Sequence, residues 1–226
     1  METEPRPADW LPRLVAIASA ASGDDAAHDL QHLQRVWSSA QLLLARAPGA
    51  DALVVMAACF LHDLVNLPKD APDRAQASKR SAQLARHQLA WLGFPADKLD
   101  AVAHAIEAHS FSAAITPTTL EAQLVQDADR LDALGAVGLA RMFYISGRLG
   151  RALAHPTDPL ALHRPRNDMA YALDHIEEKL AQLPAMMQTA AGRELAQERL
   201  QLMLAFRDAF VAEWSQAHSP AQPSDH

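Results

Sequence analysis

Only one of the 226 residues is a cysteine, which excludes a disulfide-stapled scaffold. That residue, Cys59, lies within the apolar run Ala52–Leu61 and reads as a small buried hydrophobe of a reducing compartment. Glycine is scarce, at eight residues, and aromatics make up 5%, which disfavours a β-sandwich built on Val, Thr, Tyr and Phe. No apolar run approaches the roughly 20 residues of a membrane span. The amino terminus, Met1-Glu2-Thr3-Glu4-Pro5-Arg6-Pro7, lacks the basic and apolar regions of a secretory signal, so the expected location is cytoplasmic. Positive charge is also short: Lys and Arg total 20 against 27 Asp and Glu, a formal net charge of −7. A chain so charged is not expected to wrap a nucleic-acid polymer, whereas a small phosphorylated ligand is allowed.

What is present is helical material. Half of the residues are apolar and 21% charged, enough to offset the conformational entropy of folding. Trp10, Leu14 and Ile17 recur at helical spacing, and Ser22-Gly23-Asp24-Asp25 ends that run and offers capping groups to a second helix. The second helix carries Leu33, Val36, Trp37, Ala40, Leu43 and Leu44 on one face and stops at Ala47-Pro48-Gly49. The third, opened by Asp51, is apolar on every side and predicts a helix at the centre of the core. Further helices are predicted over about Ser78–Leu92 and Ala96–Ala108, from the Pro117-Thr118-Thr119 cap through Leu131, and over about Asp168–Leu183 and Thr189–Trp214. Gly135 and Gly138 are expected to mark close helix approach, and Trp37 and Trp91 to be core or half-buried. The segment His155–Asp168, with three prolines, reads as a loop or lid. The predicted fold is all-α, a single-domain helical bundle. Residues 1–24 would form an N-terminal helix and connector, 25–214 the core with its C-terminal helices, and 215–226 a disordered tail.

His62-Asp63 closes the most apolar helix, where two ionisable groups are costly to bury without partners. A metal ion would compensate both by accepting an imidazole nitrogen and a carboxylate oxygen. A solvated helix end with a capping histidine accounts for the pair equally well. His28 and His32 stand at i,i+4, one turn apart on one helix face, a spacing that can chelate. Asp127, Asp129 and Asp132 follow within Val125–Asp132. Asp127 and Asp129 lie on nearly opposite sides of a helix, so at most one faces a given site, and a solvated charged face accounts for the rest.

The order His32, His62-Asp63, Asp129 resembles the H…HD…D signature of the HD-domain metal-dependent phosphohydrolases, a helical superfamily. The Arg35-Val36 that follows selects His32 over His28, and the context Ala128-Asp129-Arg130-Leu131 selects Asp129 over Asp127. Three strings are similar to the small stand-alone bacterial YedJ-like group: Cys59-Phe60-Leu61-His62-Asp63, Ala108-His109-Ser110-Phe111-Ser112 and the run Gln126–Gly135. The similarity runs from about His28 to Phe206. Leu64-Val65-Asn66 replaces the Gly-Lys that follows the pair in many members, and the absence of Gly-Tyr-Pro excludes the cyclic-dinucleotide phosphodiesterase branch.

The resemblance implies a divalent metal held by His32, His62, Asp63 and Asp129. Nitrogen and oxygen donors without thiolate suit Mn²⁺, Mg²⁺, Co²⁺, Ni²⁺, Fe²⁺ or Zn²⁺, with manganese first. The implied reaction is attack of a metal-activated water on a small phosphorylated metabolite, above all a nucleotide, with Asp63 in the catalytic role. Nucleotidase and nucleoside triphosphate pyrophosphohydrolase activities both fit. Phosphate oxygens call for positive charge, and His28, Lys69, His109 and Arg141 are the candidate substrate contacts. His163, Arg164 and Arg166 read as exposed loop charge. Two alternatives stay open. One is a di-iron HD-type oxygenase, for which His87, His104 and His109 are further ligand candidates. The other is a non-catalytic HD module that captures a ligand. No membrane is expected as a partner.

Overall fold

The structure, a computed structural model, describes residues 6–21, 30–67 and 73–217. Among the described residues the regular elements are α-helices and short 3₁₀ turns, so the all-α expectation is met. The connector 22–29 with His28, the segment 68–72 with Lys69, and 218–226 of the expected tail lie outside the described residues. The chain groups into two compact units: one draws on residues 1–132 and 187–193, the other on 133–186 and from 194 onward.

The first unit contains α1 (Pro7–Ala21), α2 (Leu30–Leu44), α3 (Ala52–Leu61), α4 (Ala77–Trp91), α5 (Leu99–His109) and α6 (Leu120–Leu131). Every residue from Leu53 to Leu61 is buried, and α1, α2, α4, α5 and α6 all pack on α3. An all-apolar helix has no face to give to water, so it takes the centre and the amphipathic helices surround it. Each large apolar side chain buried there contributes about 1.5–3 kcal/mol. Asp51 fixes where α3 begins, its Oδ1 accepting from the Leu53 and Val54 amides at 2.9 and 3.2 Å while its other oxygen pairs with Lys98.

Burial raises the Asp51 pKa, but Lys98 and the two amides outweigh it and hold the carboxyl below its ordinary value. Its contribution to stability is therefore present above about pH 4 and fades as the pH falls through the lowered folded value. Asp51→Ala is expected to cost about 1–2 kcal/mol at neutral pH, and less at pH 3. Denaturant unfolding at the two pH values measures this, and an equal loss at both would remove the charge from the explanation.

Trp91 departs from expectation, standing 82% exposed at the end of α4. The chain turns at Gly93, with φ +77°, and Phe94 takes the interior position and meets Trp10 edge-on at 4.8 Å. Trp37 is half-buried.

The second unit contains α7 (Gly135–Arg148), the short α8 (Asp174–Glu178), a 3₁₀ stretch Leu180–Met186 and most of α9 (Ala190–Ala217). Gly138 packs so tightly on the Ala133 carbonyl that a Cβ there would overlap it. The helix expected from Asp168 starts only at Asp174, because Asn167 Oδ1 accepts from the Met169 and Ala170 amides and turns the chain first. Arg164 is not exposed loop charge: its guanidinium forks onto the buried Asp174 carboxylate at 2.6 and 2.7 Å and lies over the Tyr171 ring. That pairing ties the His155–Asp168 segment down. No helix among the described residues is long and apolar enough to cross a membrane.

Candidate metal centre

His62 is the C-cap of α3, and its Nδ1 donates to the Cys59 carbonyl at 2.9 Å. His109 ends α5 and does the same with the Ile106 carbonyl at 2.6 Å. In both, an imidazole closes a helix by binding a carbonyl that has no amide partner left within the helix. A carbonyl only accepts, so each Nδ1 bears a hydrogen, and in the neutral tautomer this contact selects, Nε2 keeps its lone pair. On α2, His32 turns its Nδ1 to the Asp132 carboxylate at 2.7 Å and again leaves Nε2 facing inward.

The inward nitrogens meet two carboxylates. Asp129 Oδ1 lies 3.4 Å from His32 Nε2 and 3.8 Å from His62 Nε2, while Asp63 lies 3.5 Å from His62 Nε2 and 3.7 Å from His109 Nε2. Two overlapping donor groups result, His32 with His62 and Asp129, and His62 with Asp63 and His109. His62 Nε2 belongs to both, is fully buried and has no hydrogen-bond partner. Leaving such an atom unpaired costs about 1–3 kcal/mol, a cost that an ion would remove. Donors about 2.1 Å from a common ion stand roughly 3.0–4.2 Å apart, which is the range seen here. The residues present thus fit a divalent cation, and the nitrogen and oxygen donor set suits the borderline and hard metals.

Charges follow the same arrangement. Burial lowers the His62 pKa despite Asp63 beside it, so this ring stays neutral. Burial favours protonation of Asp63 and Asp129, yet the surrounding imidazoles outweigh it and hold both carboxyls below their ordinary range. Burial also opposes a charge on His32, but Asp129 and Asp132 override it and push its pKa up to about 9. A proton on His32 thereby stands in for part of the positive charge that this ring of carboxylates attracts.

Of the residues expected at the site from the sequence, His32, His62, Asp63, Asp129 and His109 come together in the first unit. Arg141 lies on α7 of the second unit. His104 is turned away, its Nε2 engaged by the Thr118 amide and hydroxyl at 3.1 and 3.0 Å, and His87 is exposed.

Two carboxylates read as part of a solvated face are buried instead. Asp132 holds His32 and receives the Arg35 guanidinium at 2.7 and 3.2 Å. Asp127 accepts from the Gln188 amide, the Thr189 amide and the Thr189 hydroxyl at 2.7–2.9 Å, which fastens segment 187–193 to α6. Gln126 completes this clasp, donating to the Ala108 carbonyl beside His109 and accepting from Gln188. The only trace of these roles in the sequence is that this charged run is bounded by Leu124, Leu131 and Leu134. Gly192 sits against the Asp127 carboxylate with no room for a Cβ. Gly192→Ala should therefore cost about 1–3 kcal/mol by forcing that carboxylate off its three donors. A melting temperature equal to that of the parent protein would show that the clasp yields freely.

Residues 29–134, which include all of these inward-facing side chains, match the HD domain family. The chain is 34% identical over 194 residues to YpgQ of Bacillus subtilis, an uncharacterized protein, across 84% of this chain and 86% of that one. The crystal structure of YpgQ in complex with ADP superposes with a TM-score of 0.70 at 29% identity, covering 92% of this chain and 96% of that chain. An HD-superfamily hydrolase from Bacillus thuringiensis superposes with a TM-score of 0.71 at 29% identity, covering 96% of this chain and all of the other. With a relative of this identity matched over most of both chains, and with the family match falling on the helices that converge at His62, the chain belongs to the HD-domain family.

Proposed function

We propose that the protein is a metal-dependent phosphohydrolase of nucleotides, with His32, His62, Asp63 and Asp129 as the metal ligands. The observation that carries this reading is the buried His62 Nε2, without a hydrogen-bond partner, with two carboxylates and two further imidazole nitrogens around it. The ADP bound to YpgQ supports a nucleotide as the substrate class. A divalent ion held there, manganese first among the candidates, would supply a Lewis acid for the phosphoryl oxygens and would make the attacking water more acidic.

The chain's own residues do the rest. Asp63 is ionised at neutral pH and offers a carboxylate oxygen that orients the attacking water and takes its proton. As the new phosphorus–oxygen bond forms, the bond to the departing phosphate or nucleoside oxygen breaks, and the pair of electrons leaves with that oxygen. His109 Nε2, 3.7 Å from Asp63 and grouped with His62, is the first candidate for contact with a phosphate oxygen. His28, Lys69 and Arg141 are further candidates for that contact. Ligand capture without turnover and a two-iron oxygenase are the competing readings. The second is weakened because His104 is already engaged, His87 is exposed, and His62 Nε2 has a single lone pair to share between two ions.

The test measures orthophosphate and pyrophosphate release from nucleoside mono-, di- and triphosphates with Mn²⁺, Co²⁺, Mg²⁺ or Fe²⁺ added. Metal-dependent release of either product is the expected result. Silence across the panel, in protein carrying stoichiometric metal, would overturn the reading in favour of ligand capture.

A further inference from the structure

Three imidazoles converge on the candidate centre, and each is anchored through Nδ1. For His62 and His109 the anchor is a carbonyl three residues earlier in the same helix, a neutral acceptor that comes with the helix end. For His32 it is a carboxylate from 100 residues further along the chain. Asp132 is 3% exposed, at the C-cap of α6, three positions after Asp129. Its other contacts include both arms of a fork from Arg35, one turn after His32 on α2. Burying a carboxylate in that place is expensive unless it has partners that want its charge.

We propose that Asp132, kept in place by Arg35, is a positioning residue that sets His32 as the metal donor. This rests on the metal-dependent reading above and adds residues which that reading does not use. Two effects combine. The bond from His32 Nδ1–H to Asp132 Oδ2 fixes the ring plane and the tautomer, so that Nε2 points toward Asp129 and His62 without having to be reoriented. A charged acceptor also polarises the ring more than a carbonyl does, which makes His32 Nε2 a stronger donor to an ion. Charge balance completes the design: Asp63, Asp129 and Asp132 bring three negative charges, and a divalent ion with the Arg35 guanidinium and three neutral imidazoles offsets all of them.

The competing account is a buried ion pair that joins α2 to the end of α6 and serves stability alone. Titration of purified, metal-stripped protein with Co²⁺ separates the two, with both binding and the visible spectrum recorded. With affinities corrected for proton competition at His32, Asp132→Asn, which keeps the shape and one acceptor oxygen, should weaken Co²⁺ binding by about 10- to 100-fold and change the Co²⁺ absorption bands. Arg35→Gln should act in the same direction by a smaller factor, and it carries the test if Asp132→Asn fails to fold. A proton NMR signal from His32 Nδ1–H, far downfield and slow to exchange in the metal-free parent, should move upfield in Asp132→Asn. A lowered melting temperature with unchanged Co²⁺ affinity and spectrum in both variants would overturn the proposal and leave the metal reading standing. If the parent itself binds no Co²⁺, both fall together.

Discussion

Asp129→Asn should bring stoichiometric metal binding to near zero and slow nucleotide hydrolysis by at least about 10³-fold, the loss expected when several kcal/mol of Lewis-acid stabilisation are removed. The substitution is nearly isosteric, so α6 keeps its packing. What changes is the one carboxylate oxygen that lies within 3.8 Å of both His32 Nε2 and His62 Nε2. Without its charge the donor set becomes two imidazoles and Asp63, and the amide offers a weaker oxygen to the ion. The protein should remain folded, because Leu124, Val125, Ala128 and Leu131 on the same helix still fill the core. Elemental analysis, far-ultraviolet circular dichroism and initial rates on one preparation decide the matter. Full metal occupancy with an unchanged rate would place the centre elsewhere.

Metal affinity should rise about tenfold per pH unit from pH 6.5 to near 9, and then level off. The reason is the proton on His32. Its pKa in the folded, metal-free protein is raised from 6.5 to about 9, since Asp129 and Asp132 overcome the effect of burial. Across this window Nε2 must lose a proton before it can donate to an ion. His62 is neutral there, and Asp63 and Asp129 are ionised, so a single proton should be displaced. Calorimetric titration with Mn²⁺ in buffers of different ionisation enthalpy counts that proton directly at pH 7.5.

The stability of the metal-free protein should move the opposite way. A group whose folded pKa is raised contributes fully below its unfolded value near 6.5, and the contribution is lost as the pH climbs through about 9. Metal-free protein is thus expected to lose stability over the window in which the metal gains affinity. Affinity that does not vary with pH would mean that His32 is not a ligand.

Much of this protein is local in origin, and local features can be read along the chain. The nine buried residues of α3 announce a central helix because no face of the segment is polar. His62 and His109 close their helices through carbonyls three residues back, an interaction contained within a single turn. The order of histidines and aspartates pointed to the family, and the spacing of Asp127 and Asp129 required that they face different ways. They do, with Asp129 toward the imidazoles and Asp127 toward Thr189.

What the sequence left open are the roles that depend on a partner far away in the chain. Asp132 looks like one more acid in a charged run until α2 brings His32 and Arg35 against it across about 100 residues. Asp127 finds its donors 61 and 62 residues downstream. Arg164 looks like loop charge until a turn at Asn167 brings Asp174 back to it. A side chain's charge and helical phase are properties of its own segment, and they determined the all-α fold, the central helix and the candidate donors. Whether that charge meets water, a guanidinium or an imidazole depends on which helices pack together, and only the tertiary structure decided that.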